Sequence, residues 1–479
     1  VAANVNITYK ILYNDAVAMT GGQSNDGDLT SLDIIKELKS IGVNEVVLVY
    51  DEKEHLNLSQ YRKHVKTYKR EQLNRVQKRL SRVRGVSALV YVQTCAAEKR
   101  RRRKRGTLVD LRQRVFINPE VCEGCGDCGV KSNCVSILPY ETEFGLKRRI
   151  DQSACNKDFS CINGFCPSFV TIENSELKSK SREDIVFPLF PEPRLPVIKQ
   201  TFNIVIAGVG GTGVVTVGAL IAMSAHLEGK GVGVMEMAGL AQKGGAVHIH
   251  CRVSNKLNDI TAVRVAESEV DTLLGCELVV SAGEKTLSLL RNTKSKVVCA
   301  NEAANAGEFT RDKDFSLPSD RMKLSISAKV GSNNVYFVNA SAIAEKYLGD
   351  SIYANVLILG HAYQRGWIPF SSKAIERSIE LNRAGVAGNL TAFKLGRWTA
   401  INPEFFLEKQ IQKDRSTEKL NLNEILIERK NRLKQYQNKE LAKKYENLVL
   451  DFPDLSIFAI ASAVLTGKVL FSTTTTQGF

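Results

Sequence analysis

The chain of 479 residues is short of several things. No apolar run reaches the ~18–20 residues that a membrane-spanning helix needs. The nearest, LSIFAIASAVLTGKVLF at 455–471, is broken by Thr466, Gly467 and Lys468. Residues 1–20 have no basic start followed by an apolar stretch, so nothing there reads as a secretory signal. Aromatic residues make up only 7% of the chain, and the run Lys99 to Arg105 (KRRRRKR) has none among its charges on which a base could stack. Acidic residues are in deficit, 51 against 66 Lys and Arg, which leaves a net charge of +15 and favours an acidic partner. Proline is scarce as well, yet four of the 11 stand at 188, 191, 193 and 196. That density forbids regular structure and predicts a stiff linker over 176–200. No internal repeat is present.

Cysteine is the exception. Seven of the 11 fall between residues 122 and 166. Without a secretory signal, a cytoplasmic metal site is a better reading than a disulfide framework. Cys122, Cys125 and Cys128 stand two residues apart, as thiolates wrapping one corner of a four-iron cluster do, and the fourth ligand of such modules is a distant Cys followed by Pro. Cys166-Pro167 fits that place. Zinc pairs usually come as two separate C-x2-C units, so the third Cys in step favours iron–sulfur over zinc. Gly124, Gly126 and Gly129 leave room for backbone amides near the sulfurs. Cys134, Cys155 and Cys161 remain, one thiolate short of a second cluster. A non-Cys ligand such as Asp158, a three-iron cluster, or no second cluster are all compatible with the letters. Cys95, Cys251, Cys276 and Cys299 are scattered and read as buried structural thiols.

Length predicts two to four domains. The short β-branched runs 7–13, 45–50 and 88–92 alternate with helical patterns at 29–42 and 59–83, which predicts a parallel sheet with functional loops at the carboxyl ends of its strands. Residues 116–175 hold too few large apolar residues for a core and must be held by metal. Residues 202–239 read as strand, glycine turn, helix, strand, and 246–253, 278–283 and 296–301 read as further strands. Residues 402–450 are charged with helical period. The expected fold class is therefore α/β throughout, with a small metal module and a helical tail.

Three more features bear on chemistry. Gly208-x-Gly210-x-x-Gly213 with Glu236 some 20 residues on fits a dinucleotide fingerprint, and equally a turn that only packs helix against strand. Asn14, after the first strand, can offer its side-chain oxygen to a hard cation, and the Ala16 carbonyl a second, as Mg²⁺ bound to a diphosphate prefers; a plain polar turn is the bland alternative. His248 and His250 share one face of a strand, with no third metal ligand in sight.

Together these motifs resemble the 2-oxoacid:ferredoxin oxidoreductase family, in its long fused bacterial branch that oxidises indolepyruvate. NITYKILYNDAVAMTGGQ (6–23) is similar to the second half of the family's thiamine diphosphate and Mg²⁺ motif. By that resemblance Asn14 and the Ala16 carbonyl are Mg²⁺ ligands, and Thr20, Gly21 and Gly22 form the turn beside the cofactor. The motif's Gly-Asp-Gly start would precede Val1. QTCAAEKRRRRKRG (93–106) looks like the end of that domain, and CEGCGDCGVKSNC…CNKDFSCINGFCPSF like the family's iron–sulfur insert. GVGGTGVVTVGALIA…EMAGLAQKGGAVHIHCRVS resembles its Rossmann-like gamma domain, which is not an NAD site. The resemblance covers about residues 1–450.

The implied organisation is 1–115 as the C-terminal part of a thiamine-diphosphate domain, 116–175 as a ferredoxin-like module, 176–200 as linker, 201–400 as gamma domain and 401–479 as a helical segment. The implied reaction is oxidative decarboxylation of an aryl 2-oxoacid, with electrons passing through the [4Fe-4S] cluster to ferredoxin and the acyl group to coenzyme A, in a homodimer. The absence of an initiator Met and the STTTTQGF ending predict a truncated piece, inactive alone, whose residues 451–479 do not fit the family. Two rival readings have their own tests. A flavin- or NAD-linked electron carrier would bind flavin or NADH at Gly208–Gly213. A basic iron–sulfur nucleic-acid protein would bind DNA in a salt-dependent way through Lys99–Arg105.

Overall fold

The computed structural model describes residues 1–3, 5–16, 27, 29–134, 136–142, 145–164, 166–175, 185–238, 245–302, 312, 315, 317–404, 406 and 422–450. The chain divides into two compact units. The first comprises Val1–Arg112 with Cys155–Phe159, and the second Gln113–Ala154 with Ser160–Phe479.

The first unit is built on four parallel strands: β1 (Ile7–Tyr13), β2 (Glu45–Tyr50), β3 (Lys66–Lys69) and β4 (Val86–Val92), in the order β1-β4-β2-β3. Parallel pairing requires crossovers, and helices supply them. The helix Ser31–Ser40 starts at a reciprocal cap between Thr30 and Asp33 and buries Ile35 against the sheet. On the other face the helix Leu73–Leu80 buries Val76 and Leu80, four residues apart. The central strands β2 and β4 are covered on both sides, which is why EVVLVY and VSALVYV are almost wholly apolar.

The long helix expected over 59–83 is not formed. A short helix (Leu58–Arg62) gives way to β3 and then to the helix Leu73–Leu80. Thr67 and Tyr68 favour a strand, and pairing with β2 outweighs the weak helical pattern. β3 is an edge strand, and its charged Lys66 and Lys69 hide it from a pattern search.

The second unit holds two small antiparallel pairs and one large sheet. β5 (Gln113–Ile117) pairs with β8 (Phe169–Glu173), and β6 (Ile137–Thr142) with β7 (Gly145–Ile150). The six-stranded sheet runs β10-β11-β9-β12-β13-β14, from β9 (Thr201–Val209), β10 (Gly231–Ala238), β11 (Ala246–Ser254), β12 (Thr272–Gly275), β13 (Lys296–Ala300) and β14 (Val335–Val338). β9, β12, β13 and β14 are parallel, and β11 is antiparallel to both of its neighbours. The helices Val214–Leu227, Ala354–Gln364 and Val386–Ile401 contribute to the larger core, while Val205, Leu273 and Val297 face a second one.

The strand expected at 278–283 is instead a helical turn, Leu278–Ser281. The strand lies just before it, at β12. The Glu277 carboxylate accepts from the amides of Val279 (2.9 Å) and Val280 (2.8 Å) and so starts the turn, despite two β-branched residues inside it.

Residues 185–200 have no regular structure apart from a bend at the end, in keeping with their prolines. They do not run free. Phe187 and Leu195 pack on the larger core, and Glu192 accepts from the buried Arg397 at 3.0 Å and meets Tyr363. In the tail, the helices Leu422–Tyr436 and Lys439–Leu450 pair through Leu426, Leu433, Tyr445 and Val449, with an ion pair between Lys430 and Glu446.

Candidate metal centre

The cysteine loop is held between the two small strand pairs of the second unit. The register Ile117↔Phe169 places Cys122 and Cys166 beyond the same end of the β5–β8 pair. Asn118 closes that end. Its amide donates to the Ser168 carbonyl (2.8 Å), and its own carbonyl accepts from the amide of Cys122 (3.0 Å). Cys128 sits on the short helix Asp127–Ser132, entered through Gly126 in the left-handed region, and Cys166 Sγ lies 3.1 Å from Ser168 Oγ.

Gly124 has no substitute in this loop. Its φ is +73°, and a Cβ there would stand 2.2 Å from the Leu146 carbonyl oxygen of β7. The loop therefore lies directly on β7. Its amide donates to Cys122 Sγ (3.4 Å), a contact of the kind that stabilises a thiolate.

Electrostatics tie the loop together. Burial pushes the Cys128 thiol up to about 11, and the thiolates of Cys122 and Cys125 act in the same direction. The Gly129 amide and the Arg148 guanidinium oppose them. Three thiols two residues apart, one of them accepting from the Gly124 amide, are soft ligands of the kind iron takes. Among the described residues no group of three or more His, Cys, Asp or Glu is arranged to hold a metal ion as it stands. Cys122 is buried, while Cys125 and Cys166 are exposed.

The remaining cysteines of the run are divided. The turn Ser160–Ile162, which carries Cys161, packs against the Asp127–Ser132 helix. Cys134 follows that helix, its amide donating to Ser132 Oγ (3.3 Å). Cys155 belongs to the first unit, where its Sγ accepts from the Lys157 amide (3.4 Å). Cys251 and Cys299 are fully buried, and burial pushes each thiol up to about 12, as structural thiols require.

In the first unit, the carboxyl end of β1 carries the expected cation turn. Asn14 Oδ1 accepts from the Ala16 amide at 3.2 Å, so this oxygen already serves a local turn while keeping a second lone pair. Ala16 is buried. Thr20, Gly21 and Gly22 lie outside the described residues.

The basic run sits on the helix Ala96–Lys104, whose charges are largely spoken for. Glu98, 1% exposed, pairs with Arg101 (2.7 Å) and Arg102 (3.3 Å), and Lys99 reaches Glu54 (2.7 Å). Arg102 also donates to the Asp15 carbonyl at 3.2 Å and so braces the turn that carries Asn14 and Ala16. Glu54 and Glu98 were not singled out from sequence. An acidic residue near a basic run is a weak signal, and only the fold brings Glu54 to Lys99.

The glycine turn departs from a dinucleotide site. In that fold the acidic residue ends the parallel strand beside the turn. Here antiparallel β11 occupies that place (Gly208↔Val247), and Glu236 lies one strand further out, on β10. Gly208 is needed for packing, since a Cβ there would meet Val214 at 2.7 Å and Cys276 at 2.9 Å.

His248 and His250 do share a face, and both are buried. His248 Nε2 lies 2.9 Å from Thr286 Oγ1, and His250 Nδ1 accepts from the Val265 amide (3.0 Å). Burial depresses both to about 4, which keeps them neutral.

Known proteins share part of this chain. A family model described as pyruvate ferredoxin/flavodoxin oxidoreductase matches residues 203–398, the span of the six-stranded sheet and its helices. The indolepyruvate oxidoreductase subunit IorB of Archaeoglobus fulgidus is 30% identical over 208 residues, 42% of this chain and 96% of the relative. The chain belongs to the 2-oxoacid:ferredoxin oxidoreductase family. The subunit of the same name from Thermococcus kodakarensis is 27% identical over 200 residues, 41% of this chain and 95% of the relative. A keto/oxoacid ferredoxin oxidoreductase gamma subunit from Geobacter sulfurreducens is 20% identical and covers 42% of this chain and 98% of its own, with a TM-score of 0.31, which adds nothing to the fold already described. Membership makes the reaction class that of a 2-oxoacid:ferredoxin oxidoreductase and favours it over the dinucleotide and nucleic-acid readings. No helix among the described residues is long and apolar enough to cross a membrane.

Proposed function

We propose that the chain takes part in the oxidative decarboxylation of an aryl 2-oxoacid such as indolepyruvate, with ferredoxin as electron acceptor and coenzyme A as acyl acceptor. The aryl preference rests on the relatives named as indolepyruvate oxidoreductase subunits. The observation that carries the redox part is the run Cys122-x2-Cys125-x2-Cys128, in which the Gly124 amide donates to Cys122 Sγ (3.4 Å), in a chain of this family.

The groups concerned supply an electron sink for loss of carbon dioxide (thiamine diphosphate with Mg²⁺) and a one-electron relay ([4Fe-4S]). The chain's own residues hold them. Asn14 Oδ1 and the Ala16 carbonyl offer hard oxygens suited to Mg²⁺. Arg102 braces their turn through the Asp15 carbonyl. By the family resemblance, Thr20, Gly21 and Gly22 are the remaining cofactor-binding residues. Cys122, Cys125, Cys128 and Cys166 hold one cluster, and the Gly124 amide stabilises its thiolate charge. The proposal is confined to that one cluster. Residues 1–115 then serve thiamine diphosphate, 116–175 the relay and 201–400 the gamma role, in a cytoplasmic homodimer.

The test is anaerobic reduction of methyl viologen by the holoprotein assembled with a complementary thiamine-diphosphate subunit of a 2-oxoacid:ferredoxin oxidoreductase, since the chain alone is expected to be inactive, with thiamine diphosphate, Mg²⁺ and coenzyme A supplied and indolepyruvate compared with pyruvate and 2-oxoglutarate. Preference for indolepyruvate supports the reading. Preference for a small aliphatic 2-oxoacid overturns the aryl assignment.

A further inference from the structure

The first unit carries a band of positive charge that has no place in the account so far. Ten of the 27 residues from Leu58 to Arg84 are Lys or Arg, and one, Glu71, is acidic. Three of the ten are paired: Lys69 with Glu52 (2.6 Å), Arg70 with Asp51 (3.1 Å) and Arg79 with Glu45 (2.7 Å). The other seven form no ion pair among the described residues, and all seven are exposed. The run 99–105 reads as the stronger patch in the sequence, yet none of its cations is free.

The free cations stand on two adjoining surfaces. β3 ends its sheet, and an open groove of about 570 Å³ lies along residues 62–68, lined by Arg62, Lys63 and Lys66. Arg75 and Lys78 lie on the solvent side of the helix Leu73–Leu80, whose Val76 and Leu80 are buried. Arg79 of that helix lies 5.4 Å over the ring of Tyr68, which lines the groove, so groove and helix meet.

No large apolar side chain between residues 58 and 84 is exposed. A permanent subunit interface is built around apolar and aromatic anchors, and this surface offers none. Tyr61 is buried and Tyr68 lies beneath Arg79, which leaves no ring for a base to stack on. Charge without apolar anchors gives a fast, weak and salt-sensitive encounter. An electron acceptor that must leave after each transfer needs such an encounter.

We propose that the β3 groove and the adjoining face of the helix Leu73–Leu80 form the docking surface for an acidic ferredoxin. The inference rests on the ferredoxin-linked reading above and deepens it by assigning the acceptor a surface.

The experiment measures association of an oxidised, acidic bacterial ferredoxin with the assembled enzyme by surface plasmon resonance, at about 50 and 500 mM NaCl. K63Q/K66Q/R75Q/K78Q removes four charges from the surface. K373Q/K394Q/K443Q/K444Q removes four exposed charges from the other unit. A charged surface raises association rates roughly 10–10³-fold by steering. The first variant should therefore associate at least about tenfold more slowly at low salt, with the gap closing at high salt. The control should stay within about twofold of wild type. Methyl viologen reduction needs no docking and checks that each variant is intact; if the fourfold variant loses it, K63Q/K66Q and R75Q/K78Q are measured singly against the same expectation of slowed association. A wild-type rate in the surface variants, or equal slowing in the control, overturns the proposal. A DNA duplex that binds more tightly than ferredoxin, and is lost in the same variants, assigns the surface to nucleic acid and overturns it as well. Wild-type enzyme that reduces methyl viologen but associates with ferredoxin at neither salt would instead sink the ferredoxin reading itself, so the two failures are told apart.

Discussion

Three buried histidines make the second unit sensitive to mild acid. Burial depresses His248 and His250 to about 4 and His361 to about 3, from an ordinary value of 6.5, with Lys285, Arg264 and Arg365 acting in the same direction. Folded, all three stay neutral; unfolded, each takes a proton below 6.5. The unfolded chain thus binds more protons between 6.5 and 4, and stability is lost as pH falls through that window. At pH 5 each histidine costs about 2 kcal/mol relative to pH 8, by the linkage relation applied to these values. Asp271 and Glu302, whose carboxyls burial pushes up, act oppositely in part of the window, so the net loss falls short of three such contributions. Replacing one histidine isolates its share. His361→Gln removes the ring whose Nδ1 lies 2.9 Å from Thr399 Oγ1. Urea unfolding at pH 8, 6.5 and 5, followed by tryptophan fluorescence, reads this unit directly, because the chain's two tryptophans, Trp367 and Trp398, both lie in it. The variant should start less stable at pH 8 and lose about 2 kcal/mol less than wild type on going to pH 5. Equal losses in the two proteins would refute the burial argument.

Other expectations concern the loop and the turn. Gly124→Ala places a Cβ against the Leu146 carbonyl and forces a left-handed backbone on an L-residue, costing ~1–2 kcal/mol before the clash is counted; iron retained after gel filtration should fall by at least about half, and full retention would show that β7 yields. Cys134→Ala should leave the EPR signal of the first cluster intact, and its loss would show that Cys166 is wrongly grouped with the first three cysteines. Arg102→Ala frees the Asp15 carbonyl and leaves Glu98 paired with Arg101, so Mg²⁺-dependent thiamine diphosphate binding should weaken about tenfold by titration calorimetry, the size of one charge-assisted hydrogen bond; unchanged affinity would remove Arg102 from the site.

What could be read in advance followed burial. β2, β4 and the helix Ser31–Ser40 lie where the apolar pattern puts them, because a strand covered on both faces or a helix with one apolar stripe leaves little freedom. β3 was missed because an edge strand with lysines looks like a polar helix, and Leu278–Ser281 because a carboxylate cap outweighs the strand preference of two valines. At the candidate site the cysteine spacing is a local signal that sequence can carry, whereas the placing of Cys122 and Cys166 beyond one end of the β5–β8 pair comes from the fold. The approach of Gly124 to the Leu146 carbonyl was not legible, because a residue on a separate hairpin meets the loop only through the fold. The pairing of Lys99 with Glu54 is likewise long-range, so a run that reads as a free basic patch is partly neutralised within its own unit.

The central claim is that Cys122, Cys125, Cys128 and Cys166 hold a four-iron cluster. Anaerobic purification followed by iron, sulfide and zinc analysis, with EPR of the dithionite-reduced protein, tests it most directly. The account predicts about four iron and four sulfide per chain as a minimum, with a reduced-cluster signal that disappears in Cys128→Ser. Stoichiometric zinc with no sulfide, or iron unaffected by Cys128→Ser, would contradict it.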